Sequence, residues 1–167
     1  MTNHANMKLL KLTAFTSILF VALLGFNSCQ NDDELAKTNE YAKTGIVMSG
    51  AQETPPVATS ALGSLDVTYN KSTKMLTYKV TWSGLTGIPS AMHIHGLAPV
   101  SYPAGIVQTI LSAPNATTFP ASGTYSGSLL VDGVVVKEVD LLNGLYYLNI
   151  HTATYPSGEL RGQIKFQ

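Results

Sequence analysis

A single cysteine, Cys29, stands among 167 residues, which excludes an intramolecular disulfide framework and any thiolate-rich metal cluster. Charge is also sparse. Asp, Glu, Lys and Arg make up 12% of the chain, about half the share of an ordinary soluble domain, and ten basic residues against ten acidic ones leave no net charge. With no basic excess to neutralise phosphates, nucleic acid is not an expected partner. The glycines sit in isolated turns rather than ahead of a helix, so no phosphate loop is formed, and no Ser, His and Asp triad can be assembled. The length leaves room for one core and a short appendage, not for a second cofactor-binding domain.

What is present begins with an address. Lys8 and Lys11 precede an uncharged run from Leu12 to Ser28 that holds Phe15, Ile18, Leu19, Phe20, Val21, Leu23, Leu24 and Phe26. This is the charged-then-apolar layout of a secretory signal, and its apolar part falls short of the roughly 20 residues needed to cross a bilayer. Cys29 follows directly. A lone cysteine in that place resembles the cleavage and lipidation site of a bacterial lipoprotein, which implies a signal over residues 1–28 and a membrane anchor at Cys29. Asp32, Asp33 and Glu34 then open a polar stretch to residue 44 with few large apolar side chains, so 29–44 is expected to be a flexible acidic tether. The acidic cluster resembles the surface-export signal of some outer-membrane lipoproteins; the alternative is that it only avoids inner-membrane retention or keeps the tether soluble. From Cys29 onward eight basic and ten acidic residues remain, a net charge of −2, so attraction to anionic lipid is not what would hold the chain to a membrane.

From residue 45 the pattern changes to short runs bounded by Gly, Pro, Asn or Ser, none with a sustained helical period. Leu65, Val67 and Tyr69 alternate with Asp66, Thr68 and Asn70, and Leu76, Tyr78, Val80 and Trp82 alternate with Thr77, Lys79, Thr81 and Ser83. The Asn-Lys-Ser-Thr-Lys segment between them reads as a turn, so the pair predicts a hairpin with Leu76, Tyr78, Val80 and Trp82 facing inward. Further strands are predicted over 45–51, 91–95, 106–111, 124–131, 135–141, 145–152 and 159–166, with the prolines in the intervals between them. Nine strands and no helix describe an all-β domain over 45–167, an antiparallel Greek-key sandwich or barrel.

The chemistry-bearing residues are few. After the signal the only histidines are His93, His95 and His151. Period-two geometry puts His93 and His95 on one face of their strand, with Met92 and Ile94 on the other. The same rule groups Tyr147, Asn149 and His151 opposite Tyr146, Leu148 and Ile150. If the two strands meet with these faces aligned, three imidazoles converge as an open copper or zinc site requires; the alternative is that the rings are packing groups bonded to backbone. Glu159, Arg161 and Gln163 share a face of the last strand. Glu159 and Arg161 either pair with each other or a neighbour, or serve the site, Glu159 as an acceptor fixing a histidine tautomer and Arg161 as an anion-binding group beside the metal.

Three segments together resemble the CHRD domain, named for the repeated domain of chordin and found singly in many bacterial secreted proteins. They are Ser49-Gly50-Ala51-Gln52-Glu53-Thr54-Pro55-Pro56, Ala91-Met92-His93-Ile94-His95-Gly96, and Tyr147-Leu148-Asn149-Ile150-His151-Thr152 followed by Tyr155-Pro156-Ser157-Gly158-Glu159-Leu160-Arg161-Gly162-Gln163. The resemblance implies an immunoglobulin-like β-barrel, distantly similar to copper/zinc superoxide dismutase, and no defined activity for the bacterial members. Kinship of fold does not carry chemistry with it. From Gly96 to Val131 there is no His, Asp, Glu, Lys, Arg or Cys, so the zinc loop of that dismutase is missing, and a dinuclear redox site is not expected.

The expected function is a lipid-anchored extracytoplasmic module, non-catalytic, that binds a protein, glycan or metal ion at the cell envelope, on the outer membrane and exposed at its surface. The alternative is a mononuclear copper or zinc protein, a metal carrier or redox enzyme, with His93, His95 and His151 as ligands.

Overall fold

The computed structural model describes residues 39–112 and 114–167. The expected signal, Cys29 and the tether up to residue 38 lie outside the described residues.

Eight antiparallel strands make the domain: β1 (Glu40–Ser49), β2 (Leu62–Asn70), β3 (Met75–Ser83), β4 (Pro89–Gly96), β5 (Ile106–Ser112), β6 (Gly123–Leu130), β7 (Tyr146–Thr152) and β8 (Leu160–Ile164). They form one sheet in the order β5-β4-β7-β8-β1-β2-β3-β6, curled into a nearly closed barrel. The predicted hairpin is β2–β3, in register from Leu62 opposite Ser83 to Asn70 opposite Met75. Asn70 Oδ1 accepts from the amides of Ser72 and Thr73, 3.0 Å each, and so shapes the turn. Leu76, Tyr78, Val80 and Trp82 all point into the core, joined there by Met92 and Ile94 of β4 and Leu148 and Ile150 of β7, each fully buried. Where β5 and β6 approach, Gln108 bridges the gap: its Nε2 donates to the Ser128 carbonyl (2.8 Å) and its Oε1 accepts from the Tyr78 hydroxyl (3.2 Å).

Three expectations change. The first strand starts at Glu40, not residue 45, and Tyr41, Ala42 and Lys43 pair with Tyr69, Thr68 and Val67. A bulge follows at Gly45, whose amide donates to Asp66 Oδ1 (2.8 Å). Pro89, expected between strands, is the first residue of β4, where the missing amide hydrogen is tolerated. The segment 135–141 is no strand: a tight loop leads into a short helix, α1 (Glu138–Leu142). Asp132 Oδ1 takes the amides of Val134, Val135 and Val136, all at 2.9 Å, and amides gathered on one carboxylate cannot enter a ladder. α1 is held by Glu138, which accepts from the Tyr69 hydroxyl (2.7 Å) and Lys74 Nζ (2.9 Å). Among the described residues no helix is long and apolar enough to cross a membrane.

The outer face of β7 and β8 is not open to solvent, and that of β4 is partly covered. Loops at 50–58, 97–105 and 153–158 lie over it, tied down by Arg161, Gln163 and His151. That roof is why every residue of β7 and β8 is buried, and it creates the polar layer that holds the site.

Candidate metal centre

β4 and β7 are neighbours in the sheet although they lie far apart in the chain, with His93 opposite Asn149, His95 opposite Tyr147 and Ala91 opposite His151. With Met92 and Ile94 committed to the core, His93 and His95 must face outward beside Tyr147, Asn149 and His151. The histidines converge as a result: one ring nitrogen from each lies within 4.8 Å of the others, and His93 Nδ1 is 3.0 Å from His151 Nε2.

Backbone carbonyls fix two of the three tautomers. His95 Nδ1 donates to the Ala104 carbonyl (2.9 Å), and His151 Nδ1 donates to the Pro156 carbonyl (3.0 Å). Each ring therefore turns its Nε2 inward, held as second partners hold metal-binding histidines. Both nitrogens lie beside Asn149 Oδ1, at 3.1 Å from His95 and 3.0 Å from His151, and His151 Nε2 also accepts from His93 Nδ1 at 3.0 Å. An imidazole lone pair facing an amide oxygen repels it unless a proton or a cation lies between them. Turning the amide would put its NH2 there instead and give the ring nitrogens a donor. Three ring nitrogens and the Asn149 amide are thus gathered in one place.

The protonation states suit a cation. Burial, then the proximity of His151 and His95, pushes the His93 imidazole down to about 4. Burial also lowers His151, against the opposing hydrogen bond to Pro156. Both rings are neutral at neutral pH, the form that ligates. His95 is stacked on the Tyr147 ring, 4.9 Å between centroids and 5° from parallel, and the Arg161 guanidinium lies 3.5 Å over that ring.

The other expected residues are placed differently. Glu159 is not an acceptor for a histidine: its carboxylate takes hydrogen bonds from the hydroxyls of Thr59 (2.8 Å), Thr86 (2.8 Å) and Thr152 (2.7 Å) and from the Thr86 amide. Burial alone would raise its pKa, and these donors hold it below the usual range. It ties the segments after β1 and β3 to β7 through Thr59, Thr86 and Thr152 and is a structural anchor. Arg161 is not aimed at a metal-side anion. It donates to the carbonyls of Tyr102 (2.9 Å) and Pro99 (3.2 Å), to Thr54 Oγ1 and to Gln163 Oε1, so it fastens the roof while its flat face supports Tyr147. Nor do Glu159 and Arg161 pair with each other.

Two residues of the site were not singled out by sequence. Asn149 was grouped with His151 by alternation, so its position was legible but its role was not. Glu53 sits beyond the 3₁₀ turn at Gly50–Gln52, 5% exposed, and burial raises it to about 7 even though the Arg161 charge and hydrogen bonding from Asn149 pull the other way. Its Oε1 has no hydrogen-bond partner. A cavity of about 150 Å³ beside it is bounded by Pro55, Val57, Tyr155, Pro156 and Gly158.

The CHRD domain family matches residues 44–164, a span that includes every strand carrying the site. The chain belongs to the CHRD domain family. No curated protein and no solved structure matches it. Within this CHRD domain, the His-x-His strand and the Asn-x-His strand sit side by side as the centre of the roofed face.

Proposed function

We propose that this CHRD domain is a lipid-anchored metal-binding module of the bacterial cell envelope, taking one copper or zinc ion on His93, His95 and His151 with Asn149 Oδ1 as the fourth donor. The observation that carries the reading is the convergence of one ring nitrogen from each of the three histidines within 4.8 Å, with the Asn149 amide 3.0–3.1 Å from His151 and His95. Donor atoms around a tetrahedral zinc lie about 3 to 3.5 Å apart, and the widest histidine separation is 4.8 Å, so ligation requires an imidazole to move inward. Three imidazoles and one oxygen suit copper(II) or zinc. His93 Nδ1 donates to His151 Nε2 without a cation, so binding requires that proton to leave or to move to His93 Nε2. Of the ligands expected from sequence, the geometry favours the metal ion over an unspecified protein or glycan.

The envelope location is supported by the signal-length apolar run that ends at Cys29. Metal analysis of protein purified without a histidine tag, then calorimetric titration of metal-free wild type and His95→Ala with copper and zinc, tests the site. Stoichiometric binding that the variant loses by 100-fold or more is the expected result; equal weak binding by both would leave the histidines as structural groups.

A further inference from the structure

We propose that the end of the barrel at which the described chain begins is a lipid-docking face, and that its occupant is the bilayer holding Cys29; this rests on reading Cys29 as lipidated. The Asn39 carbonyl accepts from the Lys71 amide (2.8 Å), and its side chain donates to Ser72 Oγ (2.7 Å), which pins the entering chain to the β2–β3 turn. The same turn holds the loop after β6, through Val131 N to the Lys74 carbonyl (2.8 Å), and α1, through Lys74 and Lys71 to Glu138. Entry point, turn, loop and helix therefore form one end of the barrel.

That end carries Leu130, Val134, Val135 and Val139, 53% to 77% exposed. Single exposed apolar residues are ordinary, but here three valines are displayed by a loop and helix that two acids hold in place, Asp132 on the loop amides and Glu138 on the lysines. Lys71 and Lys74 share the Glu138 carboxylate, and with Lys137, Asp132 and Asp140 on the adjoining loop and helix the charges sum to zero, so apolar contact rather than net charge makes the fit to a lipid surface. Ten residues from Cys29 to Asn39 reach at most ~35 Å, and the opposite end, where Ile88 is exposed, stands on the order of 25 Å farther along the strands. β7 starts at this end, with the Tyr146 hydroxyl against the Val135 carbonyl, and runs away from it to His151. A docked domain holds the histidine cluster on the barrel wall, with His95, opposite Tyr147, nearer the bilayer than His151.

The test uses the full lipidated chain in vesicles of phosphatidylethanolamine and phosphatidylglycerol. Because Cys29 carries the lipid, Val135→Cys or Ile88→Cys supplies the one free thiol for an environment-sensitive fluorophore. Expected are flotation with the vesicles and quenching by doxyl-labelled lipid at least threefold stronger at 135 than at 88. Flotation with equal quenching at both positions overturns the docking face while leaving the anchor intact. A blue shift at 135 without lipid quenching means that a second copy or another protein covers the valines, and also overturns it. Failure to float overturns the reading of Cys29 and this proposal with it.

Discussion

His93 Nδ1 lies 3.0 Å from His151 Nε2 across 58 residues of chain. The contact exists because β4 and β7 share a ladder, and it makes the His-x-His strand half of a site whose other half is Asn149 and His151. Asn149 joins them from the same strand as His151, two residues away, on the same face by strand alternation.

The amide oxygen is expected to contribute to affinity. Asn149→Ala should weaken copper or zinc binding about 10-fold or more, within the range seen when a metal site loses a supporting group, and Asn149→Asp should restore or tighten it by supplying an anionic oxygen. Calorimetric titration of the two variants beside wild type measures both. Unchanged affinity in Asn149→Ala would show that the oxygen is a bystander.

The core prediction concerns Trp82, 1% exposed, with its ring edge-on to Phe119 at 6.0 Å and Nε1 donating to the Pro120 carbonyl at 3.1 Å. Trp82→Ala leaves a cavity and an unpartnered carbonyl and should cost about 3 to 5 kcal/mol in denaturant unfolding. A loss below about 1 kcal/mol would contradict the packing.

Gly158 has a φ of +129°, and a Cβ there would overlap the Glu53 carboxylate. Gly158→Ala should destabilise the domain by roughly 1 to 3 kcal/mol, part of it backbone strain and part the clash. In a Glu53→Ala background the clash is gone, so a double-mutant cycle should show a smaller penalty for Gly158→Ala. Full additivity would mean that the two residues do not meet.

The pH dependence of the metal-free domain has two opposed parts. His93 falls from 6.5 to about 4 on folding, so between those values the unfolded chain binds more protons, and the stability from keeping this ring neutral, complete above 6.5, is lost as pH falls towards 4. Glu53 rises from 4.5 to about 7, so between those values the folded state binds more protons, and stability is lost as pH rises. The two slopes oppose each other between 4.5 and 6.5. Glu53→Gln should remove the second and leave a melting temperature that climbs from pH 4 to pH 6.5 more steeply than in wild type, read by thermal unfolding across that range. A flatter profile in the variant would reverse the assignment.

Cys29→Ala should release the protein from membranes or block its processing, which membrane fractionation reads directly. An unchanged distribution would rule out the lipid anchor.

Alternation alone determined the hairpin of β2 and β3, the inward set of Leu76, Tyr78, Val80 and Trp82, and the shared face of His93 and His95, because a strand buried on one side writes its period into the residues. The three motif segments also marked the family. The loop and helix at 135–141 escaped this reading because Val134, Val135 and Val136 are strand-forming by composition, while their amides are claimed by Asp132, a contact that no hydrophobic pattern encodes. Only the tertiary structure decided that β4 pairs with β7, since ladders between distant strands follow from sheet order, which sequence spacing does not encode. The same holds for Glu159 and Arg161. Their side chains could reach several partners, and the tertiary structure settled the choice by bringing Thr59 and Thr86 to one and the roof-loop carbonyls of Tyr102 and Pro99 to the other. Glu53 entered the site for the same reason, carried over the sheet by a loop whose path depends on where Gly158 leaves room.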